Sequence, residues 1–177
     1  MKPSRYHPAL VSLHWLLAFL ILFSLGMGTF LLKEIPNSSP DKIFALRGHM
    51  IAGIVILVLM LVRLVVRVTT ARPAPAATGN ALLDRLAMLA HYGLYVLVIL
   101  MAASGIALSV QSGLGEIVFG GSGAPLPESF AAFTPRRVHG LIASLLLALV
   151  ALHVLASLYH QFIRRDGLFS RMWFGKR

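Results

Sequence analysis

Seven histidines are the chemically loaded residues of this 177-residue chain, and six of them fall in or at the ends of long apolar blocks. An imidazole inside lipid-facing sequence is costly, because hydrocarbon offers its nitrogens nothing to bond. Such a residue is kept where it ligates a metal, relays a proton or binds a ligand. Sorted by their place in the blocks, the six form two layers. His14 and His91 stand near the starts of the first and third blocks, and His153 and His160 toward the end of the fourth, all at one depth. His49, near the start of the second block, and His139, near the start of the fourth, share the other depth. The sharpest spacing is the fourteen residues from His139 to His153. That interval rises about 21 Å and makes close to four turns, so both rings leave roughly the same helix face at opposite ends of a span. Two stacked haems need this from a shared helix. At the outer depth only His49 is available as a second axial ligand, whereas at the inner depth both His14 and His91 are. Zinc would need a compact tetrahedral cluster, which histidines at two depths do not supply.

The elements that must position these rings are four apolar blocks, at about 9–32, 43–68, 86–110 and 138–163. Each reaches the roughly 20 residues that a helix needs to cross hydrocarbon, and helices satisfy their own backbone where lipid cannot. The expectation is an all-α, integral membrane four-helix bundle holding two b-type haems, with 1–177 as a single membrane domain. Composition agrees: 58% of the residues are hydrophobic and 12% charged, more apolar surface than a soluble domain of this size can hide. The net charge of +10 does not read as nucleic-acid binding, because the basic residues lie at block ends where topology signals belong. The chain has no cysteine, which excludes disulfides, iron–sulfur clusters and c-type haem attachment. The first block is long and carries a histidine, so it reads as a span and not as a cleavable signal.

The connections are short and breaker-rich at 33–41 and 71–80. The longest, 111–134, is rich in Gly and Pro and leaves room for a short surface helix. Lys2, Arg5, Arg63, Arg67, Arg72, Arg85, Arg164, Arg165, Arg171, Lys176 and Arg177 fall on one side, against Lys33, Lys42, Arg47, Arg136 and Arg137 on the other. The excess places both termini in the cytoplasm. Trp15, Tyr92, Tyr95 and Tyr159 read as interfacial anchors. Gly26, Gly28, Gly48, Gly53, Gly93, Gly105 and Gly140 serve either close helix packing or room for a porphyrin.

In order along the chain stand LHW (13–15), RGHMIAG (47–53), LVRLVVR (61–67), LAHYGLY (89–95), an SG pair (104–105), RRVHG (136–140) and LH (152–153). Over nearly the whole chain this series resembles the bacterial cytochrome b-561 family, and in particular its small stand-alone members of the superoxide oxidase kind. The resemblance implies that His14 and His153 hold an inner haem and His49 and His139 an outer one. It further implies a bacterial inner-membrane, multi-pass protein that takes electrons from superoxide at the periplasmic face and passes them to ubiquinone. Arg47, Arg136 and Arg137 flank the outer ligands and would form an electropositive entrance for a small anion. No Asp or Glu lies in the apolar blocks. His160, two turns beyond His153, and then His91 are therefore the candidates to contact the quinone and donate protons. The other function class is an electron-transfer subunit that docks a partner dehydrogenase. A transporter fits less well, because no intramembrane carboxylate marks a pathway. Nothing in the sequence fixes the oligomeric state, and a monomer would suffice.

Overall fold

A computed structural model describes residues 3–75 and 78–175; Lys2, Lys176 and Arg177, counted above as topology charges, lie outside the described residues. Helix α1 (Pro8–Gly26) runs on into a wide turn over Met27–Leu31, closed by the Leu32 N–H on the Met27 carbonyl five residues back at 2.9 Å. Then follow α2 (Pro40–Thr69), α3 (Ala81–Ser112), the short α4 (Leu114–Val118) and α5 (Thr134–Leu158), which widens over Tyr159–Arg164. Among the described residues there is no strand, and four helices are long and apolar enough to cross a membrane: Pro8–Leu31, Pro40–Thr69, Ala81–Ser112 and Thr134–Arg164. With four spans, both termini lie on one side.

Helices α2, α3 and α5 begin several residues before their apolar blocks, because their polar caps lie outside the hydrocarbon. Ser39 Oγ accepts from the Asp41 N–H, with Pro40 in the first turn. Asn80 Oδ1 accepts from the N–H groups of Leu82 (2.9 Å) and Leu83 (3.3 Å). Each cap satisfies donors that the helix itself leaves open. α3 ends at Gly113, whose φ of 69° closes the helix in the left-handed region.

The bundle exterior is apolar, with Phe19, Phe44, Leu141 and Leu155 exposed, as a surface solvated by lipid requires. The tight pairings are α3 with α5, α1 with α2, and α2 with α3. The α1–α5 and α2–α5 seams are looser. Leu17, Leu25, Ile56, Met60, Val98 and Leu146 form an apolar plug at the bundle centre.

Each end of the bundle carries a lid. On the far side from the termini, the 111–134 connection is more ordered than its composition suggests. α4 is the short surface helix for which the sequence left room, and its inward face is packed: Leu114 and Val118 are buried with Leu46 and Leu126, while Gly115 and Glu116 are exposed. Arg47 donates from Nε and Nη2 to the Val118 carbonyl at 3.0 and 2.6 Å, and Asn37 Nδ2 donates to the Pro127 carbonyl at 2.7 Å. On the side of the termini, the segment after Gly167 folds back onto the start of the chain. Arg5 Nη1 donates to the carbonyls of Ser170 and Phe174, both at 3.1 Å. The rings of Trp15, Phe169 and Trp173 pack together. Trp15 donates its indole N–H to the Met172 carbonyl at 2.9 Å, so it pins this tail and is more than an anchor in the lipid interface.

Candidate functional site

Two histidine pairs face each other across the loose seams. His14 on α1 and His153 on α5 have ring centroids 6.3 Å apart, inclined at 71°. His49 on α2 and His139 on α5 have centroids 6.2 Å apart, inclined at 76°. A metal–imidazole bond of about 2 Å plus the distance from ring nitrogen to ring centre, taken twice, separates two trans imidazole centres by roughly 6.3 Å. Both pairs match that span. His91 lies closer to His153, at 5.3 Å and 87°, too near for one metal between the two rings on a line. Of the inner candidates, His14 has the separation that an iron between rings needs.

Hydrogen bonds fix which nitrogen is free. Ser104 Oγ donates to the Met101 carbonyl at 2.9 Å, so its contact with His139 Nδ1 at 2.9 Å is accepted from an Nδ1–H. The Nε2 lone pair of His139 is left for a metal, the arrangement that orients ligating histidines in metal sites. Ser24 Oγ stands 3.4 Å from His49 Nδ1. His91 Nδ1 donates to the Ala87 carbonyl at 2.6 Å.

The fourteen-residue interval of His139 and His153 recurs on every span: His14 with Gly28, His49 with Arg63, and His91 with Gly105. The outer layer therefore comprises Gly28, His49, Gly105 and His139, and the inner layer His14, Arg63, His91 and His153. The two outer glycines work by close approach. A Cβ on Gly28 would lie 3.3 Å from His49 Cε1, and one on Gly105 would lie 3.4 Å from His139 Cε1. Gly93, by contrast, lets α3 approach Leu149 of α5. Gly26 and Gly53 face open space.

The three arginines of the sequence-derived entrance separate. Arg47 is spent on the α4 lid. Arg137 is exposed. Arg136 is half-buried, lies over Gly140, where its Nη1 would be 3.2 Å from an added Cβ, and sits within electrostatic reach of His49, His139 and Lys42. Its guanidinium has no hydrogen-bond partner among the described residues. Lys42 is itself buried, donating to the carbonyls of Leu32 and Ile35.

Arg63 and Arg67, read from sequence as topology charges, turn into the bundle. Arg63 Nη1 donates to the Leu10 carbonyl of α1 at 2.9 Å and lies within electrostatic reach of His14 and His153. Both guanidiniums stand 5.7 Å from the centre of the Tyr95 ring, and Tyr95 is accordingly an internal residue. The signal was present in the fourteen residues from His49 to Arg63.

His160 turns to Asp166: its Nδ1 lies 2.6 Å from Asp166 Oδ2. Desolvation alone would raise the Asp166 carboxyl. The His160 hydrogen bond, the Leu168 N–H and the charge of Arg164 outweigh it and hold the group below its ordinary 3.8. A carboxylate therefore stands beside this histidine, supplied from just beyond the last apolar block.

The model of the prokaryotic cytochrome b561 family matches residues 5–175. The chain is similar to the probable superoxide oxidase CybB of Yersinia pestis, 27% identical over 98% of each chain. It is similar to cytochrome b561 homolog 1 of Escherichia coli strain K12, 28% identical over 96% of this chain and 97% of the relative. It also resembles a cytochrome b562 of Cereibacter sphaeroides, 28% identical over 92% and 90%.

Proposed function

The chain belongs to the prokaryotic cytochrome b561 family, a multi-pass membrane b-type cytochrome, and on that premise we propose that it is a di-haem superoxide:ubiquinone oxidoreductase. The observation that carries the di-haem reading is the pair of equal ring separations, 6.3 Å for His14–His153 and 6.2 Å for His49–His139, across the two loose helix seams. In this reading His14 and His153 would hold the inner haem, and His49 and His139 the outer. A bound b-type haem would supply one-electron transfer there.

The rest is work for the protein. The α5 helix holds His139 and His153 about 21 Å apart along its axis, fourteen residues at 1.5 Å each, and the apolar plug keeps water from the space between them. Ser104 fixes the tautomer of His139. Arg136 supplies an uncompensated positive charge beside the outer pair, which attracts superoxide, a small anion. The superoxide reading is supported by the likeness to the probable superoxide oxidase of Yersinia pestis. Two superoxide anions release one electron each and leave as dioxygen; one ubiquinone takes up both electrons and two protons and becomes the quinol. His160, backed by Asp166, holds a proton at its imidazole on the side of the termini, and His91 offers Nε2 there. The basic excess on that side supports a cytoplasmic location for the termini, in a bacterial inner membrane.

The test is a stopped-flow mix of the oxidised holoprotein with superoxide, followed at the haem α-band and repeated with excess ubiquinone. Rapid reduction followed by quinone-dependent reoxidation is the expected result. A spectrum that stays oxidised with superoxide but responds to dithionite would leave a conduit for a docked dehydrogenase.

A further inference from the structure

Among the described residues the only ion pair is His160 with Asp166, so Arg63 and Arg67 are guanidiniums in the inner half of the bundle without a carboxylate. Arg63 uses one N–H on the Leu10 carbonyl. Arg67 makes no side-chain hydrogen bond to any described residue. Between them stands Tyr95, whose hydroxyl is buried and makes no hydrogen bond of normal geometry, although the Arg63 side chain is close enough to interact with it. A guanidinium only donates, so it gives the phenolic proton no acceptor. The cluster is therefore rich in donors, most of two guanidinium forks and one phenolic O–H, with the phenol oxygen as its one acceptor. A half-buried donor set carrying two positive charges is best completed by an oxygen-rich anion. Stacking on the Tyr95 face offsets part of the cost but supplies no acceptor.

We propose that Arg63, Arg67 and Tyr95 form the binding site for the carboxylate groups of the porphyrin held between His14 and His153. This rests on the haem reading above. Three features favour the porphyrin over a lipid phosphate. Arg63 is on α2 at the interval from His49 that separates the two α5 ligands, which puts it at the depth of His153. It lies within electrostatic reach of both inner rings. Its contacts, Leu10 of α1 and Tyr95 of α3, hold it on the inward side of α2. The outer layer has no comparable pair. Its one half-buried, unpaired guanidinium, Arg136, stands without a second fork or a phenol.

The site is tested in the holoprotein with Arg67→Gln and Tyr95→Phe, which leave the Arg63 contact to Leu10 intact. The readouts are haem content, a potentiometric titration of both haems, and the redox infrared difference spectrum of protein carrying haem labelled with carbon-13 in its carboxyl groups. Removing a nearby cation favours the ferric state. In Arg67→Gln the reduced-to-oxidised ratio of one haem at fixed potential should fall about tenfold, or about 59 mV for one electron, with the other haem unmoved. The labelled carboxylate bands should shift in both variants. Unchanged bands in variants that retain both haems would overturn the proposal. If bound lipid phosphate falls at the same time, the anion is a lipid headgroup, which also overturns it. A wild-type protein that binds no haem at the inner layer would instead defeat the haem reading itself.

Discussion

The outer and inner histidine layers sit at matching intervals on the same four helices, yet they are furnished differently. The outer layer places glycine at two of its four corners, Gly28 and Gly105, and hydroxyls from Ser24 and Ser104 beside the histidines at the other two. The inner layer has no glycine. It fills the corresponding corners with His14, Arg63, His91 and His153 and adds Arg67 and Tyr95 behind them. The outer histidines are thus oriented by neutral hydrogen bonds and given room. The inner histidines stand in a cationic surround with spare arginine donors. The difference fits the proposed division of work, in which the outer layer would receive single electrons with little rearrangement and the inner would serve a reaction that also moves protons.

Removing a ligand should break the comparison outright. His14→Ala and His153→Ala are each expected to lose the inner haem and keep the outer, halving the haem content by pyridine haemochrome assay. His91→Ala should retain both haems. Loss in His91→Ala with retention in His14→Ala would reverse the inner assignment. Next in size, Gly105→Val should deplete the outer haem alone, because even a Cβ there lies 3.4 Å from His139 Cε1. Gly53→Ala, in open space, should be silent in the same assay. Ser104→Ala should weaken outer haem affinity by about 10–100-fold, the usual cost of removing a hydrogen-bond partner of a ligating histidine, as measured by haem transfer to an acceptor protein. Arg136→Gln should slow reduction by superoxide about tenfold at low ionic strength, an effect that shrinks as salt is added. Arg137→Gln, at an exposed position, should change the rate little; equal effects would assign the attraction to the whole outer face.

The smallest effect concerns acid. Asp166 is held below its ordinary value. The stability that its bonds to His160 and the Leu168 N–H give the start of the tail is therefore complete above the unfolded value, near 3.8, and is lost only as pH falls through the lower folded value. Tryptophan fluorescence from Trp15 and Trp173 should stay constant from about pH 8 to 5 and change below about pH 4. The same change in Asp166→Asn would show that other groups hold the tail.

Much of this molecule is legible from hydropathy and histidine spacing. The four spans follow from block length, and the two depths from where each histidine stands in its block. What periodicity could not convey was direction. Arg63 and Arg67 look like any basic residues at the end of a span, and only their approach to Leu10 and Tyr95 shows that they turn inward. The 111–134 segment is full of Gly and Pro, yet packing against Leu46 orders it, which local composition does not encode. The choice between His14 and His91 was open on depth alone. The resemblance favoured His14, and the proposed pairing is supported by the difference between 6.3 and 5.3 Å, a quantity set by how far α5 stands from α1.

The two ends of the chain are stitched together: Arg5 binds the carbonyls of Ser170 and Phe174, and Trp15 that of Met172. In a protein made from one end to the other, that imposes a schedule. Every residue of the outer layer exists once His139 has left the ribosome, so that half can begin to assemble while α5 is still being extended. The inner half waits for His153, and its lid for residue 174. The inner face is therefore the last to be sealed, and until then its histidines and arginines remain open to the compartment in which the chain is being finished.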